Sequence, residues 1–352
     1  MAAKVGPLKV GVIACGAIGQ RRHIPEAAAN PEIALLAVCD TNEPRAKEVA
    51  KKYGAKAYAD FRKLLKHPGL EAVVVCGPNY LHASQSIAAL DAGKHVLVEK
   101  PMATTREDAK AMIAAAERNG KFLMVGQNQR LMSPHVKAKK LLDAGAIGKV
   151  MSFRTAFQHG GPESWSLDGI GSWFFRKDEA VMGVTGDLGV HKIDLMRYLL
   201  GQEFVQVSAK LATLDKRTPD GSRPIDTDDN AYLTVTTDKG VLGSILISWT
   251  MYGSGLEENY TYIYGDKGVM AIGADKDYGV VVYHRDGTRD LHKVGSVSTN
   301  TLQVSSGVID LFARCVLTNT PPTISGSEGY KALNVILTAM DADKSGKTLK
   351  VV

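Results

Sequence analysis

Cysteine is scarce in this chain of 352 residues, with four in all and no two at Cys-x-x-Cys spacing. That excludes a disulfide scaffold and the usual zinc or dithiol motifs. Cys15, Cys39 and Cys76 lie in or beside apolar stretches, and Cys315 stands far away, so all four read as small buried hydrophobes in a reducing cytoplasm. No apolar run reaches the roughly 18 residues of a membrane span. Met1-Ala2-Ala3-Lys4 leads into a strand pattern without a leader-like apolar region, and no membrane partner is expected. Concentrated charge is missing too. The net charge of +6 is scattered, and Arg21-Arg22, Lys51-Lys52 and Lys139-Lys140 read as solvated helix faces. Without a basic stripe interleaved with aromatics, nucleic acid is not an expected partner. Internal repeats, low-complexity segments and long linkers are also lacking.

What is present is an ordinary globular balance, 45% hydrophobic and 23% charged, over a length that exceeds a single core. Chains beyond about 250–300 residues usually split, so two domains are expected. Short apolar strands, Leu8–Ala14, Ile33–Cys39, Ala72–Cys76, His95–Val98 and Lys121–Val125, alternate with helical patterns at Ile24–Ala29, Glu43–Tyr53, Phe61–Lys66, Leu81–Ala92 and Arg106–Asn119. This is the texture of an α/β domain with a doubly wound parallel sheet, assigned to residues 1–125. From about Lys149 the texture becomes alternating: Val150–Phe157, Val205–Leu211, Ala231–Thr236, Val241–Trp249 and Tyr260–Tyr264 are separated by turn signals. Residues 126–352 are therefore expected to form a second α/β domain with a large, mostly antiparallel open sheet, and its C-terminal segment is a candidate to pack back on the first. Helices are predicted at Asp187–Leu200 and Glu328–Asp343.

The first strand runs into Ala14-Cys15-Gly16-Ala17-Ile18-Gly19, a dinucleotide fingerprint whose first glycine is replaced by alanine. Gly16 would let the backbone approach a pyrophosphate and Gly19 would allow close helix–strand packing. Ala14 fits only if its φ is negative, because a Cβ is costly at positive φ. The second strand stops at Asp40, which is 40 − 19 = 21 positions past Gly19, near the roughly 20 at which an acid meets the adenosine ribose. Asp40 would repel a 2′-phosphate, which favours NAD over NADP. A capping Asp before Thr41-Asn42 is the other reading, and both can hold at once.

Strand ends of such sheets open onto one crevice. Here they carry Gly77-Pro78-Asn79, Glu99-Lys100-Pro101 and Gly126-Gln127. Lys100 is then either an exposed terminus or an amine beside a bound nucleotide. His82 either approaches the same groove or makes a local bond at a helix start. Asp187 and His191 share one helical face at i, i+4, where the acid could orient an imidazole base; an ordinary solvated pair is the alternative. Asp194, one turn on, reads as a solvated or capping acid. Two ligands without a third of defined spacing make a poor zinc case, and no metal is expected. Gln127, Arg130, His159, Trp165, Asp168 and Trp173 are candidates to line a polyol pocket, since many hydroxyls need fixed donors and acceptors and a sugar's apolar face suits aromatics. The acidic turn Asp226-Thr227-Asp228-Asp229 reads as solvated rather than as a cation site.

Taken together, the glycine turn, Gly77-Pro78-Asn79-Tyr80-Leu81-His82, Ala92 through Pro101 and Gly186-Asp187-Leu188-Gly189-Val190-His191-Lys192-Ile193-Asp194 closely resemble the Gfo/Idh/MocA oxidoreductase family. The likeness covers nearly the whole chain, including Ala146–Val150 and Ser325–Thr348. The resemblance implies an N-terminal Rossmann domain, a C-terminal α/β domain and a homo-oligomer, dimer or homotetramer, assembled through the open sheet. It implies catalytic roles for Lys100, Asp187 and His191. It also implies a cofactor groove lined by Gly16, Ala17, Ile18, Gly19, Asp40, Pro78, Asn79, His82, Glu99, Lys100 and Gln127, with Trp173 and Arg176 standing near a family Trp-Arg pair, though separated by Phe174-Phe175. Substrate contacts would come from Lys100, Arg130, His159, Trp165, Asp187 and His191. The expected chemistry is NAD-dependent oxidation of a secondary alcohol on a sugar or an inositol-like polyol. His191 would accept the proton, with Lys100 as the other candidate base, and Asp187 would position the acid-base group. An NAD-dependent glycosidase of related architecture and a dinucleotide sensor are the alternatives.

Overall fold

The computed structural model describes residues 6–252, 259–297 and 306–352. Its first half alternates strands and helices: β1 (Leu8–Ile13), α1 (Ile24–Ala29), β2 (Ile33–Cys39), α2 (Glu43–Tyr53), β3 (Lys56–Tyr58), α3 (Phe61–Leu64), β4 (Ala72–Val75), α4 (His82–Asp91), β5 (His95–Val98), α5 (Arg106–Arg118) and β6 (Leu123–Val125). The six strands form one sheet in the order β3-β2-β1-β4-β5-β6, and every pairing is parallel. Residues Ala72–Val75 are buried at every position, as expected for a strand covered by helices on both faces. The edge strand β3 escapes sequence reading because three half-exposed residues carry no period.

The second half contains α6 (Ser133–Asp143), β7 (Val150–Gln158), α7 (Lys177–Ala180), α8 (Val190–Leu200), β8 (Phe204–Ala212), β9 (Asn230–Thr237), β10 (Leu242–Ser248), β11 (Asn259–Gly265), β12 (Gly268–Ile272), β13 (Val280–His284), β14 (Arg289–His292), α9 (Val308–Thr318), α10 (Gly326–Ser345) and β15 (Leu349–Lys350). These strands build a nine-stranded sheet in the order β14-β13-β12-β11-β7-β10-β9-β8-β15. Only β7 and β10 run parallel; the other pairings are antiparallel. Helices α6, α8 and α10 pack on this sheet. Its strands alternate in burial, so that Leu233 and Val235 are buried while Tyr232 and Leu242 are 56% and 60% exposed. The last helices return to the first sheet, with α9 against α1, β1 and β5 and α10 against α5 and β6.

Two departures from the sequence reading bear on the site. Ala14 sits at φ +81°, not at a negative φ. The turn between β1 and the following helix needs the left-handed conformation that a glycine would supply, and the chain adopts it with a Cβ in place. Helices α1 and α8 also open with a π-helical turn that contributes residues to the cleft, Gly19–His23 before α1 and Thr185–Gly189 before α8. Such widened turns break the regular i, i+4 stacking of side chains.

Candidate active site

The carboxyl ends of β1, β2, β4 and β5 open into a cleft of roughly 690 Å³, closed on its far side by residues from the second half of the chain. The switch point between β1 and β4 is where a doubly wound sheet leaves room for a ligand. Gly16, Ala17 and Ile18 line the cleft, and a Cβ built on Gly16 would meet nothing within 4 Å. Gly19 has the other job: a Cβ there would come within 2.6 Å of the Ala14 carbonyl oxygen, so it packs the turn and does not line the cleft. Asp40 is buried and accepts from the backbone N–H of Cys15 and of Asn42, both at 2.8 Å. It therefore holds the glycine turn and still lines the cleft with spare lone pairs. An open glycine backbone beside a buried acid at this separation fits a dinucleotide.

Pro78, Asn79 and His82 line the next strand end. The Asn79 amide donates to the Ala180 carbonyl at 3.1 Å, tying this loop to the second half of the chain. His82 has its Nδ1 2.8 Å from the Pro101 oxygen and its Nε2 2.9 Å from the Gly77 oxygen, so it joins two strand-end loops. Glu99 is buried 2.7 Å from His23 Nε2 and 3.5 Å from Arg22. Burial pushes its carboxyl up, but the bond and charge of His23, with Arg22 and Lys100, outweigh it and hold the group well below the usual range. Arg22 is thus buried, not part of a solvated face, and sequence reading missed its role because the partner lies 77 positions away.

Lys100 reaches across to the second half. Its Nζ donates to Asp187 Oδ1 at 2.7 Å and to the Asp187 carbonyl at 3.1 Å. The second carboxylate oxygen, Oδ2, accepts from the indole of Trp249 at 3.1 Å. Burial disfavours this carboxylate, yet the Lys100 charge prevails and its pKa falls below the ordinary value. His191 lines the same cleft, but no hydrogen bond joins it to Asp187, and its buried Nδ1 has no partner among the described residues. The expectation that Asp187 orients His191 therefore needs correcting: the π-helical turn Thr185–Gly189 breaks the i, i+4 stacking, and both carboxylate oxygens are engaged elsewhere. Burial, followed by the Lys100 charge, holds the His191 pKa well below 6.5.

His159 is a third imidazole at the site, with Nε2 3.9 Å from Asp187 Oδ2. The Gly161 N–H donates to its Nδ1 at 2.9 Å, which places the ring proton on Nε2, facing Asp187. Burial lowers its pKa, so it is a neutral donor. Trp165, Asp168, Trp173 and Arg176 line the cleft from the segment between β7 and α7. Trp173 stacks on Phe174 at 3.9 Å, and Trp165 meets Phe174 edge-on at 5.1 Å. Asp168 lies 3.6 Å from Arg45, and Arg176 pairs with Glu179 at 2.6 Å.

Several sequence expectations are overturned. Arg130 does not line the cleft: its guanidinium grips Asp194 at 2.6 and 2.5 Å and reaches Glu328 at 3.3 Å. Asp194 is correspondingly buried, neither solvated nor a cap. Gln127 is buried outside the cleft, while its neighbour Asn128 lines it. The Asp226–Asp229 turn is not uniformly solvated. Asp228 accepts from the Gly183 and Thr185 N–H groups, and Asp229 from those of Leu214, Asp215 and Lys216, so both anchor backbone. The four cysteines are free and buried. Among the described residues no helix is long and apolar enough to cross a membrane, and no group of three or more acidic, His or Cys side chains could hold a metal.

A parallel sheet in this order, with a glycine turn, a buried acid and a Lys-Asp pair at one cleft, defines a dinucleotide-binding oxidoreductase. Residues 8–127 match the family model described as an oxidoreductase family with NAD-binding Rossmann fold, and residues 135–271 match its C-terminal domain. The chain belongs to the Gfo/Idh/MocA family and binds NAD through its Rossmann half. It is 32% identical over 297 residues to a levoglucosan dehydrogenase of Pseudarthrobacter phenanthrenivorans, covering 76% of this chain and 74% of that one. It is 27% identical to the myo-inositol 2-dehydrogenase of Thermotoga maritima over 93% of both chains. Among solved structures, a levoglucosan dehydrogenase in complex with NADH and levoglucosan superposes with a TM-score of 0.84 at 27% identity, over 98% of this chain and 99% of that one.

Proposed function

We propose that the protein moves a hydride between NAD and a secondary alcohol of a sugar or inositol-like polyol, at a centre formed by Lys100, Asp187 and His191. The observation that carries the reading is the 2.7 Å Lys100–Asp187 pair, set in the same cleft as the glycine turn and His191. Relatives named for levoglucosan and myo-inositol support the substrate class.

NAD, when bound, supplies the hydride-accepting carbon. Gly16, Ala17 and Ile18 would hold its diphosphate and Asp40 its adenosine ribose, with Pro78, Asn79, His82 and Glu99 shaping the groove toward Lys100. The ammonium of Lys100 donates to the alcohol oxygen and stabilises the charge that develops there. Asp187 keeps that ammonium in place. His191, neutral near pH 7 and facing the cleft, takes the hydroxyl proton. His159 offers its Nε2–H to a second hydroxyl, while Trp165, Trp173 and Phe174 present aromatic surface to the apolar face of a ring.

A polyol and sugar panel with NAD and NADP side by side, read by reduced-nicotinamide fluorescence, tests the reading. NAD-linked turnover with a member of the panel is the expected result. Release of an aglycone without net reduction would replace it with a glycosidase, and saturable NAD binding without any product would replace it with a sensor.

The exposed sheet face bearing Tyr232 and Leu242 supports assembly into a homodimer or homotetramer. Sedimentation as a monomer at micromolar concentration would refute that. Four free thiols, all buried, favour a reducing compartment, the cytoplasm.

A further inference from the structure

The Asp187 carboxylate is within reach of three nitrogen groups that compete for it: the Lys100 ammonium at 2.7 Å, the Trp249 indole at 3.1 Å and the His159 imidazole at 3.9 Å. His191 lies close enough to feel its charge. One of these competitors, His159, is an imidazole and His191 is a second imidazole nearby; an imidazole that captured a free carboxylate oxygen would be drawn toward its charged form. A charged His191 could not accept a proton.

Trp249 already occupies one carboxylate oxygen, Asp187 Oδ2. It follows β10 directly, its ring is fully buried, and its backbone N–H donates to the Asp229 carbonyl at 2.8 Å. The indole stands edge-on to Phe174 at 6.2 Å and to Phe175 at 6.0 Å, with interplanar angles of 86° and 88°. The ring therefore has little freedom, and its single polar atom points at Asp187 Oδ2. An indole N–H donates only and does not titrate in the working range. Unlike a histidine or a lysine, it neither removes charge from the carboxylate nor gives up its own proton.

We infer that Trp249 is a positioning residue: by occupying Asp187 Oδ2 with a fixed N–H, it reserves the carboxylate for Lys100 and leaves His191 and His159 free of it. Burial is the largest influence on both imidazoles; the charged groups that then act on His191 are Lys100 and Arg22 on one side and Asp187 and Glu99 on the other. For His159 they are Lys100 and Lys216 against Asp187 and Glu163. Loss of the indole bond alters one member of each set, the direction in which Asp187 Oδ2 faces.

The test is a histidine titration by NMR on the cofactor-free protein, comparing wild type with Trp249→Phe, His191→Ala serving to assign the resonance. Phenylalanine keeps an aromatic ring between Phe174 and Phe175 but removes the donor together with part of the ring volume, so a packing control accompanies it. The expected result is an upward move of the His191 or His159 titration in Trp249→Phe. Phe175→Leu, which loosens the same packing but keeps the indole N–H, should leave both titrations where they are. A Trp249→Phe protein whose titrations overlay the wild type would overturn the inference, as would a Phe175→Leu protein that shifts them equally. The role of Asp187 in turnover rests on the proposed dehydrogenase reading, and kinetics provide a separate arm. Trp249→Phe should lower kcat about tenfold, the size of a lost hydrogen bond to a charged group, with KM and NAD affinity little changed. If no alcohol is oxidised by the wild type, the dehydrogenase reading fails while the titration still decides the role of Trp249.

Discussion

Nζ of Lys100 lies 2.7 Å from Oδ1 of Asp187, 87 positions further along the chain, so one amine at the end of β5 ties the parallel sheet to the helix that faces it. Both side chains are largely withdrawn from water, at 15% and 5% exposure. Removing one partner of such a pair strands the other as an uncompensated charge, at a cost of roughly 3–5 kcal/mol where burial is complete. Lys100→Met should therefore lose turnover by at least about a hundredfold and also lower the unfolding temperature. Calorimetry beside steady-state kinetics checks both, and a Lys100→Met protein as stable and as active as wild type would disprove the pairing.

His191→Ala should keep NAD affinity within a few-fold while kcat falls by about 10²–10⁴, the usual worth of a positioned acid-base group. Because burial and the Lys100 charge depress the His191 pKa below 6.5, its base form persists across neutrality. Alcohol oxidation by the wild type should accordingly decline only as pH falls below 6.5, and a pH profile of kcat/KM locates that limb. Unchanged turnover in His191→Ala would remove the imidazole from the chemistry.

At the other end of the cleft, Arg45 stands 3.7 Å from Asp40 and 3.6 Å from Asp168. An acid at this point repels a 2′-phosphate, and a free arginine accommodates one. Asp40→Ser should lower kcat/KM with NAD and raise it with NADP, an exchange read directly as the ratio of the two. A ratio that does not move would remove Asp40 from cofactor choice.

The glycine turn offers a contrast of opposite sign. Ala14 holds φ +81°, a conformation that costs an L residue about 1–2 kcal/mol. The unfolded chain gains about 0.4–1 kcal/mol of entropy when glycine replaces alanine. Ala14→Gly should thus be neutral to mildly stabilising. Gly19→Ala drives a Cβ to within 2.6 Å of the Ala14 carbonyl and should destabilise the protein and weaken NAD binding. Thermal unfolding of the two variants decides the point.

Lys192 is buried beside Phe157, donating to the Tyr260 carbonyl at 3.3 Å, and burial lowers its pKa from 10.5 to about 7. Between those values the unfolded chain binds more protons than the folded one, so stability rises with pH. Lys192→Met should be more stable than wild type near pH 7, with the gap closing toward pH 10. The Tyr260 carbonyl keeps a second donor in Thr155 Oγ1, at 2.8 Å. Parallel denaturation curves at pH 7 and 9 with a constant gap would show that Lys192 does not titrate there.

The nucleotide half was legible in the sequence because its signals are local. Strand periods, the Gly16 and Gly19 spacing and Asp40 after β2 are set within a few dozen residues, and the sheet follows from right-handed crossovers between them. Lys100 and His191 stood out by residue type at strand-end and helix positions. The strands β12, β13 and β14 were not singled out, and Arg130 was misassigned because nothing near it in sequence shows that Asp194, 64 positions away, takes up its guanidinium.

By itself the sequence determined the dinucleotide fold, the family and the neighbourhood of the chemistry, because each rests on short-range periodicity and spacing. Only the tertiary structure decided which partner Asp187 takes, that Trp249 and His159 stand beside it, and that Ala14 accepts a positive φ. Those outcomes depend on how α8, between β7 and β8 of the second sheet, docks over the strand ends of the first, and on a π-helical turn that breaks the i, i+4 register; neither is written in any local pattern of residues.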